Sequence, residues 1–249
     1  MKATHELLHG RTRVRRRYAL MPLDGFPTSR LPQWRGAEVR ILAAPALGAD
    51  FAQYKIEIAP GGGTSQQPDG HTETFVYVLA GEADLIAGSR ESLREGGFAL
   101  VPHTVAMEIE TPRGASLLVL RKRYEPAPGI DVPHPVLGHQ TDVRAEPYLG
   151  NEHARLQVLI PDDVRFDLAM NIFTFDPGHC LPYVETHVME HGLLFLEGKG
   201  VYYLDGEWME VQAGDFIWMA PFCPQTFYAT GDVPARYIYY KNVNREMVL

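Results

Sequence analysis

A strand-like pattern that occurs twice limits the folds open to this chain of 249 residues more than any other feature. Residues 75–81 (FVYVLAG) match residues 192–198 (GLLFLEG), so that Gly81 precedes Gly198 by 117 positions. Later in each half, Gly96 precedes Gly214 by 118 positions. A repeat this long indicates a duplicated domain and not a solenoid. Each half, about 110 residues long, is large enough for one small β-barrel.

The pattern inside each half predicts an all-β fold. From Val39 onward, short β-branched and aromatic runs alternate with turns that use many of the 23 glycines and 19 prolines. A modest helix is expected only within residues 141–155. The predicted domains are an N-terminal arm (1–36), a first barrel (37–125), a proline-rich linker (126–140) and a second barrel (141–249).

The charge balance and the cysteine count exclude several classes of protein. The formal net charge of −8 argues against nucleic acid as a partner, because phosphate binding needs a basic face. The basic run at residues 11–17 is interpreted as part of a solvated arm. No apolar run approaches the length of about 18 residues that a membrane span needs, and no signal peptide is recognisable. Two cysteines fit a reducing compartment. We therefore expect a cytoplasmic protein without membrane or nucleic-acid partners.

Three potential metal ligands lie in the segment 177–198 of the second half. Glu185, His187 and His191 are separated by even numbers of residues, so on extended backbone their side chains share one face. A fourth candidate, Gln225, closes the stretch that begins at Gly214. Three potential ligands that converge inside a barrel indicate a metal site.

Two other interpretations of this segment are possible. His187, Glu190 and His191 spell HxxEH, the inverted zinc-peptidase motif, which requires a helix. Pro182 upstream and Gly192 immediately downstream oppose a helix there. The second alternative is a pair of core histidines with a surface glutamate.

The motif order resembles one branch of the cupins. Residues 178–198 and 214–225 are similar to the first and second cupin motifs, but the usual His-x-His-x3-Glu appears as Glu185-x-His187-x3-His191. Gln225 stands where the final histidine is usual. This permutation in a chain with two halves resembles the (S)-ureidoglycine aminohydrolase family, and the likeness extends to YIYYKNVNRE at residues 237–246. The resemblance implies two cupin barrels in one chain, a bicupin of double-stranded β-helix type.

The resemblance also implies a ligand set. In that family the metal is Mn²⁺, and its four ligands carry over as Glu185, His187, His191 and Gln225. Oxygen and nitrogen donors without sulfur suit Mn²⁺, with Fe²⁺ or another divalent metal as alternatives. By the same resemblance Tyr202, Tyr237 and Lys241 contact the substrate, with Lys241 on its carboxylate. Glu185, Tyr237 and Lys241 are then the catalytic candidates.

The implied reaction is a hydrolysis in purine (allantoin) catabolism. (S)-Ureidoglycine and water would give (S)-ureidoglycolate and ammonia, so the partner is a small anionic substrate, and we expect a homo-oligomer. Two alternatives come from other classes. One is a different metal-dependent cupin enzyme, such as an iron dioxygenase or an isomerase. The other is a non-catalytic small-molecule-binding cupin.

The first half lacks the same ligands. Pro68, Gly70, Thr74 and Met107 occupy the four matched positions, which predicts a metal-free barrel with a structural and dimerisation role. A second metal at His71, Glu73 and His103 is an alternative, although His71 and Glu73 are out of phase with the matched face. Cys180 and Cys223 lie near the ligands, and we interpret them as small buried residues.

Overall fold

The computed structural model describes residues 10–246, and these form an all-β protein, as predicted. The described part contains nineteen strands and no α-helix. Three single-turn 3₁₀ helices connect strands, at Leu23–Gly25, Pro45–Leu47 and Gln140–Asp142. Within this part no helix is long and apolar enough to span a membrane.

The strands fall into two series along the chain. The first series is β1 Arg13–Val14, β2 Tyr18–Pro22, β3 Trp34–Ala43, β4 Phe51–Gln66, β5 Thr72–Ala87, β6 Ser89–Arg94, β7 Gly97–Val101, β8 Met107–Thr111, β9 Ala115–Arg123 and β10 Val136–His139. The second series is β11 Glu146–Tyr148, β12 Asn151–Val158, β13 Leu168–Phe175, β14 His191–Glu197, β15 Lys199–Leu204, β16 Glu207–Gln212, β17 Asp215–Met219, β18 Gln225–Ala229 and β19 Ala235–Asn242.

The chain divides into two compact units that are not contiguous in sequence. The N-unit consists of Pro27–Glu146, Gln157–Asn171 and the segment from Tyr240 onward. The C-unit consists of the chain up to Phe26, Pro147–Leu156 and Ile172–Tyr239. The predicted boundaries treated each barrel as one continuous stretch, whereas each unit takes in at least one remote segment.

The N-unit contains a closed antiparallel barrel. Strand β9 pairs with both β4 and β5, and β8 pairs with the same two strands, so the ring β4–β9–β5–β8 has no free edge. Its interior is a cluster of small and branched apolar side chains that includes Ile56, Val76, Val78, Leu117 and Val119. Alternation along each strand brings these residues to one face, and closure buries that face.

Most of the C-unit belongs to an eight-stranded and a three-stranded sheet. The larger has the order β1-β2-β17-β14-β19-β13-β12-β11, and the smaller has the order β16-β15-β18. Its core is richer in aromatic side chains, with Phe173, Phe175, Phe195, Tyr202 and Phe227 in contact. These large rings fill the interior up to the end where the candidate ligands lie.

The residues predicted as an arm include a sheet strand. Strand β2 pairs antiparallel with β17, with Tyr18 opposite Met219 and Pro22 opposite Asp215. Tyr18, Ala19 and Leu20 are buried in the C-unit. The run YALMP is short and flanked by arginines and prolines, which obscured its strand character. The part of the arm before Gly10 lies outside the described residues.

The residues predicted as linker and helix also form strands. Within the linker, β10 pairs with β7, with Val136 opposite Leu100. The expected helix at 141–155 is wrong, because this segment contains the end of a 3₁₀ turn, β11 and most of β12. Pro135 is the last proline of the linker. The four residues that follow it, Val136–His139, have backbone N–H groups that can pair with the edge of a sheet.

Two matched glycines explain why the repeat was visible in sequence. Gly81 and Gly198 have φ of +80° and +71°, a region that favours glycine. A Cβ on Gly81 would lie 2.6 Å from the Gly114 carbonyl oxygen, and one on Gly198 would lie 2.5 Å from that of Pro234. Both positions require glycine for conformation and for space.

Asp176 provides a test of stability in the C-unit. It accepts two hydrogen bonds from Arg155 (2.6 and 3.0 Å), and its Oδ2 lies 3.0 Å from His153 Nδ1. Hydrogen bonds from Arg155 and then His153 lower the pKa of this carboxyl. We expect Asp176→Asn to lower the free energy of unfolding by about 1 kcal/mol at neutral pH.

The same pair has a defined pH dependence. Because the folded pKa is depressed, the stabilisation is complete above the unfolded value of about 3.9 and is lost as pH falls towards the folded value. Urea titrations at pH 7 and pH 3 should therefore show a difference between wild type and Asp176→Asn that shrinks in acid. Asp163→Asn, which removes an exposed local pair with Arg165, is the control with a smaller effect. An undiminished difference at pH 3 would contradict the assignment.

Candidate active site

The segment carrying the candidate ligands is held by backbone pairing to β18. Glu185 forms an isolated bridge with Gln225, with N–O distances of 2.7 and 2.9 Å in the two directions. The sequence analysis assumed extended backbone for this segment. The structure differs, because the chain bends near Val188 and β14 begins only at His191. It is not helical either, so the zinc-peptidase interpretation is wrong.

The two histidines face each other across this bend. His187 Nε2 and His191 Nε2 are 3.3 Å apart, and their rings are inclined at 77°. The Phe222 N–H donates to the His187 carbonyl oxygen at 2.7 Å, which ties the bend to the turn before β18. His187 Nδ1 is buried and has no hydrogen-bond partner in the part of the chain that the structure describes.

Glu185 is positioned by a residue that the sequence analysis missed. The Tyr148 hydroxyl, from β11, donates to Glu185 Oε1 at 2.8 Å. Burial, and then this hydrogen bond, raise the pKa of Tyr148, so the phenol keeps its proton. Tyr148 lies 37 residues before Glu185 in a segment predicted as helix, and no sequence signal linked the two.

Gln225 is positioned by two tyrosines that the sequence did single out. The Tyr202 hydroxyl donates to Gln225 Oε1 at 2.7 Å, and the Tyr237 hydroxyl hydrogen-bonds to Tyr202. Burial raises the pKa of both phenols, so both stay protonated. The hydroxyl chain leaves one lone pair of the amide oxygen available.

The donor set suits a divalent cation. Two ligands at adjacent corners of one ion, each about 2.1 Å from it, lie about 3 Å apart, close to the 3.3 Å between the imidazole nitrogens. Gln225 adds an amide oxygen and Glu185 a carboxylate. Among the described residues, however, no three His, Cys, Asp or Glu side chains converge on a single point. Glu185 directs one oxygen to Tyr148 instead.

Lys241 continues the inward alternation of β19. Tyr237 and Tyr239 are buried in the C-unit, and Lys241 follows at the same two-residue spacing, half-buried. The shared strand face predicted for the three residues rests on this spacing alone, because Lys241 lies in the segment assigned to the N-unit. Its role toward a substrate stays a prediction.

The remaining candidates are the two cysteines and the alternative ligands of the N-unit. Cys223 is buried, and burial raises the pKa of its thiol to about 12, so it is a poor nucleophile. Cys180 bridges to Tyr228 through its backbone. In the N-unit, Glu73 is buried beside Asp167 and Lys122, and His71 is exposed. These positions do not gather a second ligand set around His103.

Tyr148 can be tested directly. We expect Tyr148→Phe to lower kcat/KM about 10- to 100-fold, because the Glu185 carboxylate loses a charge-assisted hydrogen bond. Steady-state kinetics should be measured with metal content and melting temperature on the same sample. Tyr183→Phe, at an exposed residue of the same segment, is the matched control. Unchanged kinetics in Tyr148→Phe would show that Glu185 needs no such support.

Comparisons with known proteins are consistent with this geometry. Residues 171–240 match the family described as cupin domain. The chain is 34% identical over 235 residues to an Escherichia coli (S)-ureidoglycine aminohydrolase, covering 92% of this chain and 90% of that protein. It is 33% identical to the Arabidopsis thaliana (S)-ureidoglycine aminohydrolase, covering 94% of this chain and 78% of that protein.

Solved structures superpose on nearly the whole chain. A Pseudomonas aeruginosa protein described as a putative glyoxylate-induced protein superposes with a TM-score of 0.88 at 35% identity, covering 98% of this chain and 94% of that one. An Escherichia coli protein superposes with a TM-score of 0.86 at 30% identity, covering 99% and 100%. A Bacillus subtilis oxalate decarboxylase variant, at 12% identity and a TM-score of 0.71, covers 92% of this chain and 78% of that one and shows likeness of fold alone.

Proposed function

The chain belongs to the (S)-ureidoglycine aminohydrolase family, and we propose that it hydrolyses (S)-ureidoglycine to (S)-ureidoglycolate and ammonia. The substrate is inferred from the similarity to a protein of that name over nine-tenths of both chains. In this reaction the C–N bond to the amine breaks, a C–O bond to water forms, and the leaving amine gains a proton. The pathway expected is purine catabolism through allantoin, and the compartment expected is the cytoplasm.

We propose that Glu185, His187, His191 and Gln225 hold one divalent metal, with Mn²⁺ the expected ion and Fe²⁺ the alternative. The support is the facing pair of imidazole nitrogens and the backbone pairing of Glu185 with Gln225. When bound, such an ion polarises oxygen ligands and lowers the pKa of bound water. One carboxylate leaves a dication site with net positive charge, which favours an anionic substrate.

The protein groups then orient the substrate. Tyr202 and Tyr237 are the proposed substrate contacts beside Gln225, and because the Tyr202 hydrogen is already donated to Gln225, the phenol oxygens suit an N–H donor such as that of a ureido group. Lys241 is the proposed partner of the substrate carboxylate. Held at two points, the α-carbon presents one face to water, which accounts for a stereospecific product. Glu185, which accepts a hydrogen bond from Tyr148, is the proposed carboxylate ligand and the catalytic candidate nearest to this group of residues.

We also infer that both units are cupin barrels, which makes the chain a bicupin. The matched glycines Gly81 and Gly198 and the closed ring in the N-unit support the duplication. The metal-free half is then the expected dimerisation partner in a homo-oligomer. Size-exclusion chromatography with light scattering tests the oligomer.

Ammonia release from freshly prepared ureidoglycine, measured together with metal content and oxygen uptake, tests the function. We expect stoichiometric ammonia and ureidoglycolate without oxygen consumption. Oxygen uptake with no ammonia would favour a cupin dioxygenase, and ligand binding without turnover would favour a binding protein. Either outcome would overturn the proposal.

A further inference from the structure

The barrel of the N-unit ends in polar side chains on its inner face. Along β9, Leu117 and Val119 belong to the core, and Arg121 follows at the same two-residue spacing. Along β5, Val78 and Val76 are in the core, and Thr74 follows in the same way. Alternation therefore places Arg121 and Thr74 inside the wall at one end of the barrel.

These residues line a small cavity. Arg121, Thr74 and His103 surround a space of about 20 Å³, which is enough for one group the size of a water molecule. Asp69 and Pro68, both exposed, form part of its rim. A ligand that places one atom in the cavity can therefore extend into solvent.

Two buried nitrogen atoms in this lining lack partners. Among residues 10–246, neither Arg121 Nε nor His103 Nδ1 makes a hydrogen bond. A guanidinium is charged at every physiological pH and can only donate hydrogen bonds. Leaving such a donor buried and unpaired costs free energy, and an anionic acceptor in the cavity would remove that cost.

The nearest acid does not fill this role. Asp69 Oδ1 accepts hydrogen bonds from the backbone N–H groups of Thr72 and His71 at 2.6 and 2.8 Å. Its carboxylate is therefore held as a turn cap at the rim. It lowers the local positive potential, so its removal should favour an incoming anion.

The internal repeat places this cavity at the end that corresponds to the candidate metal site. Pro68 and Thr74 match Glu185 and His191, and Arg121 matches Tyr239, 118 positions later. At this end the matched positions of the N-unit carry none of the candidate metal ligands, and Arg121 provides a permanent cation.

We propose that the N-unit binds a small carboxylate at the Arg121–His103 cavity. One carboxylate oxygen enters the cavity and accepts from the guanidinium, and the remainder of the ligand lies at the rim. A planar carboxylate fits the guanidinium fork better than a spherical ion does. This site is distinct from the proposed catalytic one.

The test uses acetate as the probe on the metal-loaded full chain. Thermal unfolding is followed in potassium acetate against potassium chloride at equal ionic strength, because a ligand that binds only the folded state raises the melting temperature. We expect acetate to raise it in a saturable way. Arg121→Met should weaken the apparent affinity about tenfold or more, and Asp69→Asn should strengthen it.

Controls separate this site from others. Arg123→Met changes the next, exposed arginine of the same strand and should leave the acetate effect intact. Repeating the series with Lys241→Met removes any contribution from the proposed substrate anchor.

An acetate effect that survives Arg121→Met, or none in wild type, would overturn the proposal. An equal rise of the melting temperature in chloride would show that the site does not select carboxylates. Arg121→Lys, which keeps the charge, covers the case in which the methionine variant fails to fold.

Discussion

The His187→Ala/His191→Ala variant should bind its divalent metal at least about 100-fold more weakly than wild type and lose turnover with it. Removing even an outer partner of a metal ligand lowers metal affinity about 10- to 100-fold, and this variant removes two of the four proposed ligands. Their nitrogens are 3.3 Å apart, so one double substitution removes the core of the proposed site. Elemental analysis after dialysis, with ammonia release on the same sample, measures both losses.

The matched control is His71→Ala/His134→Ala, which removes two exposed histidines of the N-unit. We expect one metal per chain in this control and in wild type. Two metals per chain in wild type, or metal retained in the His187→Ala/His191→Ala variant, would contradict the assignment. Metal affinity should also fall in acid, because imidazole binds metal only in its neutral form.

Lys241→Met should keep its metal and lose about 2–5 kcal/mol of transition-state stabilisation, a fall of about 30- to several-thousand-fold in kcat/KM. A site that already holds a dication gains from a second cation only if the substrate is anionic. A carboxylate between the two is then paired on both sides. The experiment compares kcat/KM and metal content with those of Lys199→Met, which changes an exposed lysine.

A Lys241→Met variant with near wild-type kcat/KM would place the carboxylate anchor elsewhere. A variant that loses metal as well would indicate damage to the proposed ligand site and not to an anchor. The two readouts therefore distinguish a wrong anchor from a wrong metal assignment.

Sequence reasoning predicted the features that depend on local pattern. Strand alternation and turn glycines revealed the all-β fold and the repeat, because Gly81 and Gly198 serve conformations that only glycine adopts easily. The even spacing of Glu185, His187 and His191 identified the candidate ligands. The bend near Val188 was missed, because extended backbone was assumed throughout.

What could not be predicted depends on contacts between distant segments. Tyr148 reaches Glu185 only because β11 joins the C-unit sheet, and the local sequence around Tyr148 carried no strand signal strong enough to show it. Strand β10 was hidden by the prolines before it. Such pairings are tertiary, and local propensity does not contain them.

The pairing of β2 with β17 has a consequence for synthesis on the ribosome. Tyr18 lies opposite Met219, so the earlier strand must wait until about 200 further residues have been made. At 5–20 residues per second the delay is about 10–40 s. During that time an apolar strand has an unpaired edge, the kind of surface to which other chains add. The arginines at positions 13 and 15–17 directly precede this strand, and charged residues beside an apolar strand oppose such association.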